Sequence, residues 1–333
     1  LLCILGALIS RPLPAWLGGE ADIRADATAY FLVFALYLPF SQINSLTSSF
    51  LQCCGDMVTP SILNAAMCLL DVLFNALFIP HYGVLGAGIG TALACVTVSL
   101  AMLWCCCVRN KHLRLHRGEK CRFDGQILKK AFKIGAPVAV QEIAMNGAMV
   151  VSTRIIAPLG AAAIAANSFA VTAESLCYMP GYGVQTAAVT LIGQSVGAKR
   201  RDLVTRLGWV TVLLGVSIMA VMSAAMYFLA PWIIGILSPD TEVVALGTEV
   251  LRIVVFAEPL FGAAIVCAGV FQGAGSSLLS SVLNFVSMWG VRITLTLLLV
   301  PHWGLRGAWI AMCIELCFRG SLFLFFLWRK RWL

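Results

Sequence analysis

The sequence has 333 residues, of which 60% are hydrophobic and only 11% are charged. Its mean hydropathy is +0.93, whereas a soluble domain is about half apolar and about one quarter charged. These values exclude an ordinary soluble domain and indicate a protein surrounded largely by lipid. The net charge of +8 does not indicate nucleic-acid binding, because the Lys and Arg residues form short runs between apolar stretches.

Ten apolar segments, one of them partial, are predicted to be membrane helices, because a hydrocarbon core about 30 Å thick requires roughly 20 helical residues. They cover residues 1–17 (the partial one), 28–50, 60–79, 84–108, 131–157, 163–196, 204–230, 244–271, 278–300 and 304–329. Pro, Gly and short polar turns separate them. The predicted fold class is an all-α polytopic membrane protein.

The Lys and Arg residues predict the orientation of these helices. Alternating the spans places three basic stretches on one side: 109–133 with nine Lys or Arg, 199–206 with four, and the tail from Arg319 with four. Cytoplasmic loops are enriched in these residues. We therefore expect a multi-pass protein of the cell membrane, plasma or inner, with its C-terminus in the cytoplasm.

An internal repeat links the two halves of the sequence. At an offset of 221, the segment PHYGVLGA at 80–87 matches PHWGLRGA at 301–308, and at an offset of 220 Gly55 matches Gly275 and Asn64 matches Asn284. The repeat unit spans six helices, an even number, so both copies have the same orientation. This predicts two pseudo-symmetric six-helix lobes that face a central cavity.

The repeat also predicts the domain organisation. Residues 1–108 form an N-terminal lobe that begins at its third helix, 109–130 a basic cytoplasmic linker, and 131–333 a complete C-terminal lobe. Residue 1 aligns with about residue 220, so we expect an N-terminally truncated chain of a twelve-helix protein, without about two and a half helices of the first lobe.

Several motifs resemble those of the multidrug and toxic compound extrusion (MATE) family, in order along the chain. They are LQCCGD at 51–56 after the fourth family helix, GAGIGT at 86–91 opening the sixth, IGAP at 134–137 with Gln141 opening the seventh, and GQSVGAKRR at 193–201 closing the eighth. The resemblance covers essentially the whole chain. It implies export of small, amphipathic, cationic compounds, driven by inward proton or sodium flow through alternating access.

A first group of polar residues is a candidate cation-coupling site. Asp71 shares a helical face with Asn64 and Asn75, and carboxylate and amide oxygens can coordinate sodium or hold a proton. MATE proteins often carry Asn and then Asp four residues later here, so this chain has the order reversed. Thr91 matches the family's Thr on the next helix. A structural polar network is the alternative.

A second group is a candidate substrate cavity in the C-terminal lobe. Acidic residues inside a membrane need a partner, water or a function, and Glu142, Glu174 and Glu258 meet this condition. The expected neighbours of these acids are Gln141, Asn146, Asn167, Tyr178 and Gln272. The alternative is an acid that is neutral or paired with an Arg such as Arg292. For Glu315 we expect an ion pair with Arg319, four residues later.

No enzyme is predicted, because the sequence contains no P-loop, and its GxG fragments follow no strand. We expect no cofactor, no metal beyond the possible sodium at Asp71, no nucleic acid, and a monomer in the lipid bilayer. Two other functions remain open. A flippase for lipid-linked saccharides would have a strongly basic cavity, whereas the predicted interior is acidic. A non-transporting membrane scaffold would have paired acids.

Overall fold

The structure is a computed structural model that describes residues 2–10, 21–110, 113 and 124–329. The chain folds as two compact units, Leu1–Arg122 and Phe123–Leu333. All regular secondary structure in the described ranges is helical. The predicted all-α membrane fold is confirmed.

The first unit contains three α-helices in its described part. They are α1 (Leu2–Ile9), α2 (Ala21–Cys53) and α3 (Val58–Trp104), and a π-helical turn at Cys105–Arg109 follows α3. The remainder of the predicted partial span, residues 11–17, and most of the predicted basic linker lie outside the described residues.

The second unit contains seven α-helices in its described part. They are α4 (Gly125–Ile156), α5 (Ala161–Gly197), α6 (Arg201–Leu237), α7 (Thr241–Val254), α8 (Glu258–Gly273), α9 (Ser277–Phe285) and α10 (Thr294–Trp328), with a π-helical segment at Val286–Ile293 between the last two. Helix α4 begins six residues before the predicted start at residue 131. The Asp124 side chain caps it by accepting a hydrogen bond of 2.8 Å from the backbone N–H of Gln126.

Two of the long helices fold back on themselves at a glycine. Gly83 in α3 has φ 56° and ψ −130°, and Gly304 in α10 has φ 57° and ψ −137°. After each bend the chain returns along its own path: Gly86 lies against the Phe78 carbonyl and Gly307 against the Leu299 carbonyl. A side chain at either bend would be strained, because this backbone conformation is accessible almost only to glycine.

The two units also end corresponding helices in the same way. Gly55 and Gly275 have φ values of 87° and 85°, and each closes a Schellman motif. The backbone hydrogen bonds run from Asp56 to Leu51 (3.0 Å), Gly55 to Gln52 (2.9 Å), Ser276 to Phe271 (2.8 Å) and Gly275 to Gln272 (2.9 Å). The sequence repeat at offsets of 220 and 221 is therefore also a repeat of backbone geometry.

Five helical stretches in the described residues are long and apolar enough to cross a membrane, or six if α7 and α8 together form one bent span. They are Ala27–Cys53, Val58–Arg109, Ala131–Leu159, Arg201–Leu237 and Ser277–Trp328. Two of them have 52 residues and contain the bends at Gly83 and Gly304, so each is long enough for two spans. Helix α5, predicted as a span over 163–196, is not among these stretches.

Small residues bring the helices of the second unit into close contact. A Cβ on Gly269 would lie 2.8 Å from the Gln185 carbonyl oxygen, and one on Gly273 would lie 2.6 Å from that of Val189. Helices α5 and α8 therefore approach closely at the Gly-x-x-x-Gly pair of α8. Such close contacts are expected in a membrane, where van der Waals packing and not the hydrophobic effect drives the association of helices. This contact places the start of α8 beside the middle of α5.

Helix α5 runs through Pro180 without a break. A break lies between α7 and α8, which form a bend of 60°. Glu258 is the first residue of α8 and Pro259 follows it. Proline is tolerated there because the backbone N–H groups of the first helical turn have no partner within the helix. The bend places a carboxylate at a helix N-terminus inside the bundle.

Candidate functional site

The predicted coupling residues of the first unit lie along one face of α3. Asp71 and Asn75 are half-buried, and the Oδ1 atom of each is buried without a hydrogen-bond partner among the described residues. Buried polar oxygens are normally bonded. This pair therefore presents two acceptor oxygens, one turn apart, to a ligand or a proton.

The fold-back at Gly83 brings the second half of α3 to this pair. Gly90 lies directly against the Asn75 side chain, so closely that a methyl group would not fit. Thr91 follows Gly90 and is half-buried. The structure thus places Thr91 next to the residue that contacts Asn75, but it records no bond between Thr91 and either Asp71 or Asn75.

Asn64 has a different partner. Its Oδ1 accepts a hydrogen bond of 3.3 Å from Nδ2 of Asn44 on α2, so it is held by a neighbouring helix and not by Asp71. Tyr37, seven residues before Asn44 and on the same face of α2, lies close enough to Asp71 for an electrostatic interaction. Sequence reasoning missed Asn44 and Tyr37, although their spacing on one face was a usable signal.

In the second unit, two of the predicted acids meet. Glu174 of α5 is 2% exposed and Glu258 of α8 is 0% exposed, and their carboxyl groups lie side by side. Oε1 of Glu174 and both oxygens of Glu258 have no hydrogen-bond partner of normal geometry among the described residues. Two buried carboxyl groups in this position require a proton or a cation between them.

A buried ion pair lies nearby on α10. Arg319 holds Glu315 through two contacts, Nε to Oε1 at 2.9 Å and Nη2 to Oε2 at 3.0 Å. Ser287 donates a hydrogen bond of 2.6 Å to the same carboxylate, and the guanidinium lies 5.1 Å from the ring centroid of Phe261. The predicted pair is confirmed. Arg319 is 6% exposed inside the bundle, so counting it among the basic residues of a cytoplasmic tail was wrong.

The remaining predicted substrate residues do not form one cavity. Gln141, Glu142 and Gln272 line a cavity of about 320 Å³, named here the Glu142 cavity, together with Tyr182, Gln185, Asn284 and Arg319. Tyr178 packs edge-on against Tyr182 and Phe261, with ring centroids 5.7 and 5.9 Å away. Asn146 is exposed on α4 and donates a hydrogen bond of 2.8 Å to the backbone carbonyl of Glu142.

Asn167 belongs to a second cavity of about 310 Å³, named here the Arg292 cavity. Its Oδ1 accepts a hydrogen bond of 3.1 Å from the Trp309 indole. The interior of the second unit therefore carries Arg292 and Arg319 as well as Glu174, Glu258 and Glu315. The prediction of an acidic interior was incomplete, because Arg292 and Arg319 add two positive charges among these acids.

The chain resembles known proteins in sequence and in structure. A family profile described as MatE matches residues 1–77 and 137–298. The chain is 27% identical to a probable multidrug resistance protein NorM of Thermotoga maritima over 329 residues, 94% of this chain and 69% of that protein. It is 26% identical to the uncharacterized transporter YisQ of Bacillus subtilis, over 78% of this chain and 57% of that protein.

Two solved structures have a closely similar fold. One is a MOP superfamily transporter from Pyrococcus furiosus, with a TM-score of 0.92, 18% sequence identity, and coverage of 99% of this chain and 75% of that one. The other is the MATE transporter VcmN of Vibrio cholerae, with a TM-score of 0.90, 17% identity, and coverage of 98% and 75%. At this identity the likeness establishes the shared fold.

Proposed function

Because the chain belongs to the MATE family of membrane transporters, we propose that it serves in multidrug efflux, exchanging amphipathic cationic compounds for protons or sodium ions. Members of this family are transporters and not enzymes. The observation that carries the coupling part of this proposal is the pair of unpartnered buried oxygens on Asp71 and Asn75. An ionisable group at membrane depth is costly and commonly marks an ion pathway.

The chemistry of the two units supports a division of roles. Asp71, Asn75 and Thr91 supply hard oxygens on the two arms of the α3 hairpin, and such oxygens suit a sodium ion or a proton. Glu142 lines a cavity in the second unit, and Glu174 and Glu258 form a buried carboxyl pair that favours a cation. In antiport, binding of the coupling cation and binding of the substrate bias the same conformational equilibrium in opposite directions.

Removing the carboxylate of Asp71 tests the coupling site. Asp71→Asn is expected to abolish efflux driven by an imposed proton or sodium gradient, because the amide cannot hold a proton and carries no charge for the ion. The assay is dye efflux from proteoliposomes, with pH and sodium varied separately. Asp202→Asn is the matched control, because Asp202 is an exposed acid paired with Arg200 at 2.8 Å. Normal coupling in Asp71→Asn would refute the site.

A double substitution tests whether the site needs its carboxylate on this face or at this position. Asp71→Asn with Asn75→Asp restores the order more usual in MATE proteins and moves the carboxylate about 5.4 Å along the helix. Partial recovery of transport is expected, since both positions face the same way. A double variant as inactive as the single one would show that Asp71 acts through a position-specific partner, for which Tyr37 is the nearest candidate.

A further inference from the structure

Arg292 has no carboxylate partner of its own among the described residues. The structure records no ion pair for it within 4.0 Å, and its Nη2 atom contacts the Met312 sulfur at 2.9 Å. Glu315, the nearest candidate on α10, is already held by both arms of Arg319. A guanidinium offers five N–H donors, and within the described part of the chain only Nη2 of Arg292 has a close side-chain contact. Glu315 and Glu174 are near enough for longer-range electrostatic attraction to Arg292.

Arg292 is part of the wall of the Arg292 cavity, and no acidic residue lines this cavity. Ser152, Thr153, Asn167, Ser168 and Thr296 supply its polar wall. The Ser152 hydroxyl is buried without a hydrogen-bond partner among the described residues. The hydroxyls of Thr153, Ser168 and Thr296 already donate to backbone carbonyls. The guanidinium, the Ser152 hydroxyl and the Asn167 amide N–H groups can therefore donate to an anion.

The rest of the cavity is apolar and partly aromatic. Its wall includes Met149, Ile156, Val171, Met312 and the indole of Trp309, whose N–H group is fixed by Asn167 at 3.1 Å. A volume of about 310 Å³ lies at the lower end of the range of small-molecule sites. The cavity therefore suits a compact organic molecule better than a bare inorganic ion.

Arg292 lies in the π-helical segment Val286–Ile293, which separates α9 from α10. Such wide turns are rare and occur frequently at functional sites. The same segment carries Ser287, which bonds to Glu315. One irregular segment thus presents a bonded hydroxyl to the buried ion pair and an unpaired guanidinium to the cavity.

We propose that the Arg292 cavity binds a small aromatic or branched carboxylate, with the guanidinium forming a forked contact to the carboxylate and the Trp309 wall burying the apolar group. This inference goes beyond the proposed export of cations, because it assigns the second unit a site for negative charge. It also concerns equilibrium binding, which is measurable whether or not the protein couples transport to an ion gradient.

Calorimetric titration of the detergent-purified protein with benzoate tests the site, with benzamide as the uncharged ligand of similar shape. Benzoate is expected to bind more tightly than benzamide. Arg292→Gln is expected to lower benzoate affinity by about tenfold or more, the loss typical of a charge-assisted contact, and to remove the preference over benzamide. Arg292→Lys, which keeps the charge but loses the fork, should lie between the two.

A second variant keeps the test independent of the buried charges. Ser168 is exposed at the cavity wall, so Ser168→Leu narrows the cavity and leaves every charged group in place. It is expected to weaken benzoate binding while the midpoint of thermal unfolding stays near that of the wild type. Equal binding of benzoate and benzamide, benzoate binding that survives Arg292→Gln, or binding unaffected by Ser168→Leu would each overturn the proposal.

Discussion

Two ion pairs in the second unit have nearly the same length but very different surroundings. Glu315 and Arg319 are buried at 2.9 Å, whereas Glu249 and Arg306 lie 2.8 Å apart with side chains 41% and 59% exposed. Glu315→Gln is expected to lower the free energy of unfolding by about 3–5 kcal/mol, because it leaves the Arg319 charge buried and unpaired. Glu249→Gln is the matched control and should cost at most about 1 kcal/mol.

Chemical unfolding of both variants in the same detergent measures this difference. Similar small losses would mean that water reaches Arg319, contrary to its 6% exposure. Similar large losses would mean that the exposed pair at Glu249 belongs to a stabilising network that the structure does not contain.

The carboxyl pair of Glu174 and Glu258 makes a different prediction, about substrate charge. Glu174→Gln or Glu258→Gln is expected to reduce efflux of monocationic dyes more than efflux of neutral dyes, because a desolvated carboxylate interacts with a cation more strongly than a hydrated one does. Initial rates of dye export from loaded vesicles provide the measurement, with Glu249→Gln as the exposed control. Equal losses for both dye classes would assign the pair to conformational change or proton coupling instead.

At the scale of residues, the sequence predicts pairs that are near in the chain and misses those that are distant. Glu315 and Arg319 are four residues apart, so helical periodicity alone predicts their contact. Asn44 and Asn64 lie on different helices, and so do Asn167 and Trp309. Their contacts depend on how the helices cross, which single-sequence periodicity does not contain. For the same reason a single substrate cavity was predicted, whereas Glu142 and Asn167 line different cavities.

At the scale of helices, we predict that the bend at position 304 requires glycine because of its backbone conformation and not because of steric contacts. The nearest atom to a Cβ on Gly304 is Leu159 Cδ2 at 4.0 Å, so Gly304→Ala would meet no steric obstacle. The substitution still forces alanine into φ 57°, ψ −137°, at a cost of about 1–3 kcal/mol. We expect a correspondingly lower stability of the purified protein, measured by chemical unfolding.

Gly235 of α6 provides the control, because it lies in a helix and no atom lies within 4 Å of a Cβ built on it. Gly235→Ala should be neutral or stabilising by up to about 1 kcal/mol, since alanine loses less backbone entropy than glycine on folding. A Gly304→Ala variant as stable as Gly235→Ala would contradict the assigned backbone conformation.

Helix ends are more predictable from this sequence than helix interiors. Pro-His-Tyr-Gly at 80–83 and Pro-His-Trp-Gly at 301–304 indicate the bends, and Gly55 and Gly275 indicate the helix caps, because each signal is local. Pro180 shows the limit of such local signals, because α5 continues through it although proline often ends or kinks a helix. The π-helical segment at Val286–Ile293 has no local sequence signal of this kind.

At the scale of the whole molecule, the sequence repeat and the hydrophobic pattern predict the fold class. The hydrophobic pattern extends over the full chain and the repeat links 55–87 with 275–308, so errors at single positions do not alter either signal. The repeat survives in the structure as equal backbone angles at Gly83 and Gly304, although only fragments of sequence are shared. The prediction of function at this scale depended on family motifs, because the sequence contains no catalytic or metal-binding pattern beside its apolar segments.

The predicted orientation places the loop at 198–201 in the cytoplasm and the turn at 301–304 outside the cell, because Lys and Arg favour the cytoplasmic side. Arg319 no longer contributes to this argument, but Lys199 and Arg200 lie on an exposed loop and the exposed Arg201 begins α6. Ala198→Cys and His302→Cys, each in a background without the native cysteines, place one thiol in each exposed loop. In intact cells a membrane-impermeant maleimide is expected to label the thiol at position 302 and to spare the thiol at 198. Permeabilised cells, in which both should react, control for accessibility, and labelling of position 198 in intact cells would reverse the orientation.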